Sequence, residues 1–160
     1  MPAIYLEMKI NSTIEICFDL SRSIDLHQVS TIETNEKAIA GRTMGLIEAG
    51  EFVTWQAKHF GLTQKLTSKI TVFNKPFHFR DEQQKGFFKY IIHDHYFEEH
   101  NGDIIMRDVF NFQSPFGLIG KLVDRILLTK YLRNLLLERN RIIKEYAETE
   151  KWKSLLNDIT

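Results

Sequence analysis

Cysteine is almost missing from this chain: Cys17 stands alone among 160 residues. A single thiol cannot close an internal disulfide, and it fits a reducing compartment. Nor does charge of one sign predominate, because 21 Lys and Arg residues balance 21 Asp and Glu residues. No overall field draws the chain onto nucleic acid, and no such partner is expected. Long hydrophobic runs are absent as well. Nothing approaches the roughly 18 apolar residues of a membrane span, so no transmembrane segment is expected. The opening residues MPAIYLEMKI alternate and carry Glu7, unlike a secretory leader. The expectation is a soluble cytoplasmic protein. Repeats, linkers and low-complexity tracts are lacking, so residues 1–150 read as one domain and 151–160 as a frayed tail. Reaction motifs are lacking too: there is no Ser–His–Asp order, nucleophile elbow or phosphate-cradling glycine loop. Gly41-Arg42-Thr43-Met44-Gly45 has only two glycines and reads as a loop.

Aromatic residues are abundant, with 12 Phe, 5 Tyr and 2 Trp, enough to line something large. Ile4, Leu6, Met8 and Ile10 alternate with polar neighbours and predict a strand. Asn11-Ser12-Thr13 offers cap chemistry before a short helix over Ile14–Leu20, and a second short helix is expected over Ile24–Val29. Ala38–Arg42 reads as a short strand, and Met44–Ala49 has no clear period. Strands are then expected near Phe52–Phe60, Leu62–Phe73, His78–Gln84, Phe88–Phe97 and Asp103–Phe112. Gly61, Asn74-Lys75-Pro76, Gly86 and Asn101-Gly102 separate them, which implies an antiparallel meander. After Ser114-Pro115, the pattern from Phe116 to about Ala147 is helical, and one helix of that length spans roughly 45 Å. The fold class expected is α+β: a curved, mostly antiparallel sheet around a long C-terminal helix, with two short helices after the first strand. This is a helix-grip arrangement.

Trp55, Ala57 and His59 share one face of their strand, and His93 and His95 share one face of theirs with Ile91 and Phe97. Asp108 lies on a face with Met106, Phe110 and Phe112. Apolar company turns these faces inward. Three readings of the polar residues stand side by side. They orient the polar end of a ligand in an apolar cavity; they form a hydrogen-bonded network of the core; or they ligate zinc or iron. Tight Cys or His pairs are absent, so no metal and no cofactor is expected. Cys17, among Ile14, Ile16 and Phe18, reads as a small buried residue rather than a nucleophile. On the long helix, Lys121, Arg125, Lys130, Arg133, Arg139, Arg141 and Lys144 read as a solvated face. Peripheral contact with anionic lipid is the alternative. Gly117 and Gly120 leave room for a cavity mouth or for close packing.

Several segments, in this order, resemble the START-like superfamily, also called SRPBCC, and especially its bacterial ligand-binding branch. They are Trp55–Gly61 (WQAKHFG), Leu66–Ile70 (LTSKI), His93–Phe97 (HDHYF), Met106-Arg107-Asp108 and Pro115–Gly120 (PFGLIG). The resemblance covers residues 3 to about 148. It departs at Lys89-Tyr90-Ile91, where relatives of that branch tend to carry a Trp. It implies a helix-grip fold around a cavity, and this fold hosts binders, carriers and enzymes alike. The expected function is binding, or carriage, of a hydrophobic or amphipathic small molecule between sheet and helix. The lining expected comprises Trp55, His59, Leu66, Ile70, Ile91, His93, His95, Met106, Asp108, Phe110, Ile119, Leu122 and Ile126. The alternatives are a cyclase-, dehydratase- or hydrolase-type enzyme using the same cavity, and an interaction module with the cavity closed.

Overall fold

The computed structural model describes residues 2–156, with the side chains of residues 120, 121 and 123–125 excepted. Strand β1 (Ala3–Ile10) follows from its alternation: Ile4, Leu6 and Ile10 are buried while Tyr5 is exposed. Thr13 then caps α1 (Ile14–Ser21), its Oγ1 accepting the Ile16 amide at 3.3 Å. Ser23 does the same for α2 (Ile24–Ser30), accepting the Leu26 amide at 3.1 Å. After these come β2 (Lys37–Gly41), β3 (Phe52–His59), β4 (Leu62–Asn74), β5 (His78–Lys85), β6 (Tyr90–His100) and β7 (Asp103–Gln113). Residues 42–51 hold no strand or helix beyond one bridge from Leu46 to Ser23.

Turn chemistry sets the register. Phe60-Gly61 (φ 51° and 76°) and Asn101-Gly102 (φ 52° and 84°) turn two hairpins with consecutive left-handed residues, the twist that matches paired strands. The result is one seven-stranded antiparallel sheet in the order β1-β7-β6-β5-β4-β3-β2. The first strand closes onto the last, so the chain's two halves meet at β1–β7.

The C-terminal segment departs from the single straight helix expected. It consists of α3 (Gly117–Val123), a π-helical stretch (Asp124–Leu128) and α4 (Thr129–Glu148), and α4 alone spans roughly 30 Å. A π turn inserts a residue into the helical repeat and rotates the helix before it relative to the helix after it. Helix α4 packs on the sheet, burying Leu136, Arg139, Asn140, Ile143 and Ala147. The expected tail also differs. Glu150–Trp152 forms a 3₁₀ turn, α5 covers Lys153–Leu156, and Trp152, Leu155 and Leu156 pack against the core. Apolar side chains at these positions have more to gain from contact than from fraying. Residues 157–160 of that expectation lie outside the described ones.

The core divides into two clusters. One gathers Ile10, Phe18, Val53, Phe97, Met106 and Ile143 under α1, α2 and the end of α4. Phe18 anchors it, meeting Phe73, Phe79 and Phe97 edge-to-face at 5.5, 5.3 and 5.4 Å. The other gathers Ile4, Leu6, Ile91, Phe110, Phe112 and Leu136.

Candidate functional site

Between sheet and helix lies a cavity of about 200 Å³. Its walls are mostly apolar, with Val53, Trp55, Leu66, Ile70, Phe79 and Ile91 from the sheet and Leu132, Leu135 and Leu136 from α4. Its polar lining comes from Ser68, Asp81, His93, His95 and Arg139, together with residues of the α1–α2 corner. Cavities for drug-sized ligands usually run to about 300 Å³ or more, and about 150 Å³ holds a benzene ring. This one suits a ligand of about one ring with its substituents.

Strand pairing builds the polar part. Asp81 on β5 lies opposite His93 on β6, and Asp108 on β7 lies opposite His95. The two histidines point to the same face, two residues apart, with ring centroids 3.8 Å from each other. A carboxylate therefore flanks the histidine pair on either side. His93 Nε2 donates to Asp108 Oδ1 at 2.9 Å, and His95 Nδ1 lies 3.0 Å from the same oxygen. On the other side, His95 Nε2 is 2.9 Å from Asp81 Oδ2, while His93 Nδ1 is 3.8 Å from it, beyond hydrogen-bond reach. Ser68 Oγ donates to the other Asp81 oxygen at 3.0 Å. From the helix, Asn140 Nδ2 donates to Asp108 Oδ2 at 2.5 Å and Arg139 Nη1 stands 3.7 Å from Oδ1. Arg139 is held in turn by the Ser21 carbonyl at 2.9 Å.

Proton positions follow from these partners. Burial pushes the Asp108 carboxyl up, but hydrogen bonds from His93 and His95 outweigh it and hold it well below its ordinary value. Asp81 behaves alike: burial is outweighed by the His95 hydrogen bond and the histidine charges, leaving it at about 2. Burial would discharge His95, yet hydrogen bonds to Asp108 and Asp81 raise its pKa. His93 moves the other way, lowered by burial and by the neighbouring His95. These directions favour the proton on His95, between two carboxylates, over His93, whose Nδ1 is turned towards the cavity beyond hydrogen-bond reach of Asp81. With Arg139, the buried charges cancel.

Another polar group borders the cavity elsewhere. His59 Nδ1 and the Tyr131 hydroxyl are 2.8 Å apart, and burial lowers the His59 pKa. His27 Nε2 lies 3.2 Å from Glu36 Oε2, and its ring lies against Trp55, tilted by 31° with centroids 4.2 Å apart. Burial works against the Glu36 charge, but His27 more than compensates and lowers its pKa.

Of the residues expected to line a cavity, Trp55, His59, Leu66, Ile70, Ile91, His93, His95 and Phe110 do so. Met106 does not: it belongs to the core cluster beneath α1. Asp108 sits one layer back, fully buried behind the histidines it holds. Ile119, Leu122 and Ile126 are exposed, at 78%, 63% and 59%. They precede or lie within the π stretch, and α3 packs chiefly against that stretch rather than the sheet. Asp81, Ser68, Arg139 and Asn140 were not foreseen. Asp81 could have been found by counting inward from Phe79 on β5. Arg139 and Asn140 continue the Leu132–Leu136 stripe at helical spacing.

No family model and no curated protein matches this chain. Solved structures do. The TTHA0849 protein of Thermus thermophilus superposes with a TM-score of 0.74 at 14% identity, covering 91% of this chain and 97% of that one. Ginseng major latex-like protein 151 from Panax ginseng gives 0.68 at 15% identity, covering 92% and 98%. A START superfamily protein from Mycobacterium smegmatis gives 0.67 at 7% identity, covering 91% and 97%. At such identities the likeness speaks for fold alone.

Proposed function

Starting from a START-like helix-grip fold, shared with these structures along nearly the whole chain, we propose that the protein binds a small, mainly apolar molecule between sheet and helix. The observation that carries this reading is the cavity, whose apolar walls end on a cluster of buried ionisable groups. The chemistry of that end selects the ligand. His93 Nδ1 and Asp81 Oδ2 both accept hydrogen bonds, so the metal-free site favours a neutral donor such as a phenol or alcohol over a carboxylate. The apolar body then meets Leu66, Ile70, Ile91 and Leu135.

Isothermal titration with one-ring phenols and their benzoate counterparts tests the reading. Phenols should bind, and benzoates should bind at least tenfold more weakly. Leu135→Trp fills the cavity from the half-buried side of α4 and should abolish binding while the fold persists. Phenols that ignore this substitution, or no binding at millimolar concentration, would refute it. A second reading is an enzyme in which His93 Nδ1 takes a proton from bound substrate; its uncharged ring in a low-dielectric cavity suits a general base.

A further inference from the structure

We propose that Asp81, His93 and His95 bind one divalent first-row transition-metal ion, of the Fe(II) or Zn(II) class, with its open coordination positions facing the cavity. The expectation of no metal rested on the lack of tight Cys or His pairs in the sequence. The structure makes a pair of His93 and His95, two residues apart on one strand, and adds the third ligand, Asp81, from the neighbouring strand.

One donor atom from each of the three residues lies within 4.8 Å of the others. Asp81 Oδ2 is already 2.9 Å from His95 Nε2 and 3.8 Å from His93 Nδ1. Ligands about 2.1 Å from a shared metal stand roughly 3.0–3.5 Å apart in octahedral or tetrahedral geometry. Adjustments of about 1 Å, within reach of side-chain rotation, would complete the set.

The groups behind the ligands agree with this assignment. Metal-bound histidines generally donate their other ring nitrogen to a carboxylate, which fixes the tautomer. Here a single oxygen, Asp108 Oδ1, lies 2.9 Å from His93 Nε2 and 3.0 Å from His95 Nδ1. Both rings are thus turned so that their remaining nitrogens, His93 Nδ1 and His95 Nε2, are the ones nearest Asp81. Ser68 occupies the other Asp81 oxygen at 3.0 Å, and Oδ2 holds the His95 Nε2 proton at 2.9 Å, which the ion would displace into solvent on binding. Asp108 itself lines no part of the cavity and is anchored from behind by Asn140 at 2.5 Å.

Donor type narrows the ion. Two imidazoles and a carboxylate suit iron, zinc or cobalt; all-oxygen sets serve magnesium and calcium, and thiolates serve copper(I). Three ligands from one face leave positions free for water or for an oxygen of a bound molecule. The metal-loaded cavity would therefore recruit an anionic oxygen, which the acceptors His93 Nδ1 and Asp81 Oδ2 of the metal-free one do not favour.

The test uses full-length protein stripped with a chelator and titrated with Co(II) and Zn(II) at pH 7.5, with no organic ligand present. We expect one ion per chain with micromolar or tighter affinity, and visible Co(II) absorption bands. Proton NMR of the Co(II) protein should show shifted ring resonances from two histidines, a readout that needs no variant. Asp81→Asn and His93→Gln should each weaken binding at least tenfold, with the exposed His100→Gln as the unaffected control. No stoichiometric binding at 1 mM metal, no shifted histidine signals, or affinity indifferent to both variants would overturn the site. Because the cavity ligand plays no part, the two proposals fail separately.

Discussion

Replacing Asp108 by Asn tests whether the buried charges are organised as described. The side chain is fully buried, and it receives His93, His95 and Asn140 at 2.9, 3.0 and 2.5 Å, with Arg139 at 3.7 Å. Asparagine keeps the shape but loses the charge, and one of its two acceptor oxygens becomes a donor. Whichever way the amide is turned, that NH₂ meets an N–H: either the two imidazoles or Asn140 is left opposed to a donor. His95 and Arg139 also lose the anion they share. Removing one partner from a buried ion pair costs about 3–5 kcal/mol. In a chain of this size each kcal/mol moves Tm by about 2–4 °C, so Tm should fall by roughly 6–20 °C. Urea denaturation followed by circular dichroism should show a lower midpoint with an unchanged m value. The comparison variant is Glu138→Gln on the exposed face of α4, where the paired Arg141 is solvated; its cost should stay below about 1 kcal/mol. A loss below about 1 kcal/mol at Asp108 would refute the reasoning, since a buried anion cannot be so weakly missed.

Acid lability should be traceable to Asp94 as well. Burial raises its pKa, but the Arg80 and His78 hydrogen bonds outweigh this and lower it. Its stabilisation is therefore complete above the unfolded value of about 3.9 and disappears as pH falls through the lower folded value. Asp94→Asn should flatten that limb of a stability–pH curve measured between about pH 5 and 2, and an unaltered limb would contradict it. The cavity histidines act near neutrality with opposite signs: His95, raised, stabilises below about 6.5 and loses this as pH rises through its folded value, while His93, lowered, stabilises above about 6.5. Cys17, pushed up to about 12 chiefly by burial, should ignore a thiol reagent at pH 8 and react once urea unfolds the chain. Rapid labelling of the folded protein would argue against its packing beside Phe18.

The strands were legible because alternation and turn residues say the same thing. Val53, Trp55 and Ala57 are all buried, and Gly61 and Asn101-Gly102 turn the hairpins where expected. The C-terminal helix was legible as helix, but its π stretch was not, since periodicity does not reveal one inserted residue. Ile119, Leu122 and Ile126 misled for a further reason: apolar residues are frequently exposed, so hydrophobicity alone does not turn a helix inward. The site was half legible. His93, His95 and Asp108 stood out among apolar neighbours. Asp81 lay hidden in the polar run Arg80-Asp81-Glu82-Gln83, and Arg139 resembled a solvated residue because charges are so seldom buried. Their meeting depends on strand order and helix placement, which no local spacing records.

Native mass spectrometry of the protein purified from its own host tests the central claim most directly. A cavity of about 200 Å³ predicts a bound molecule of about one ring, released on denaturation and absent from Leu135→Trp. A mass equal to the bare chain, unchanged when the stripped protein is offered phenols, would contradict it.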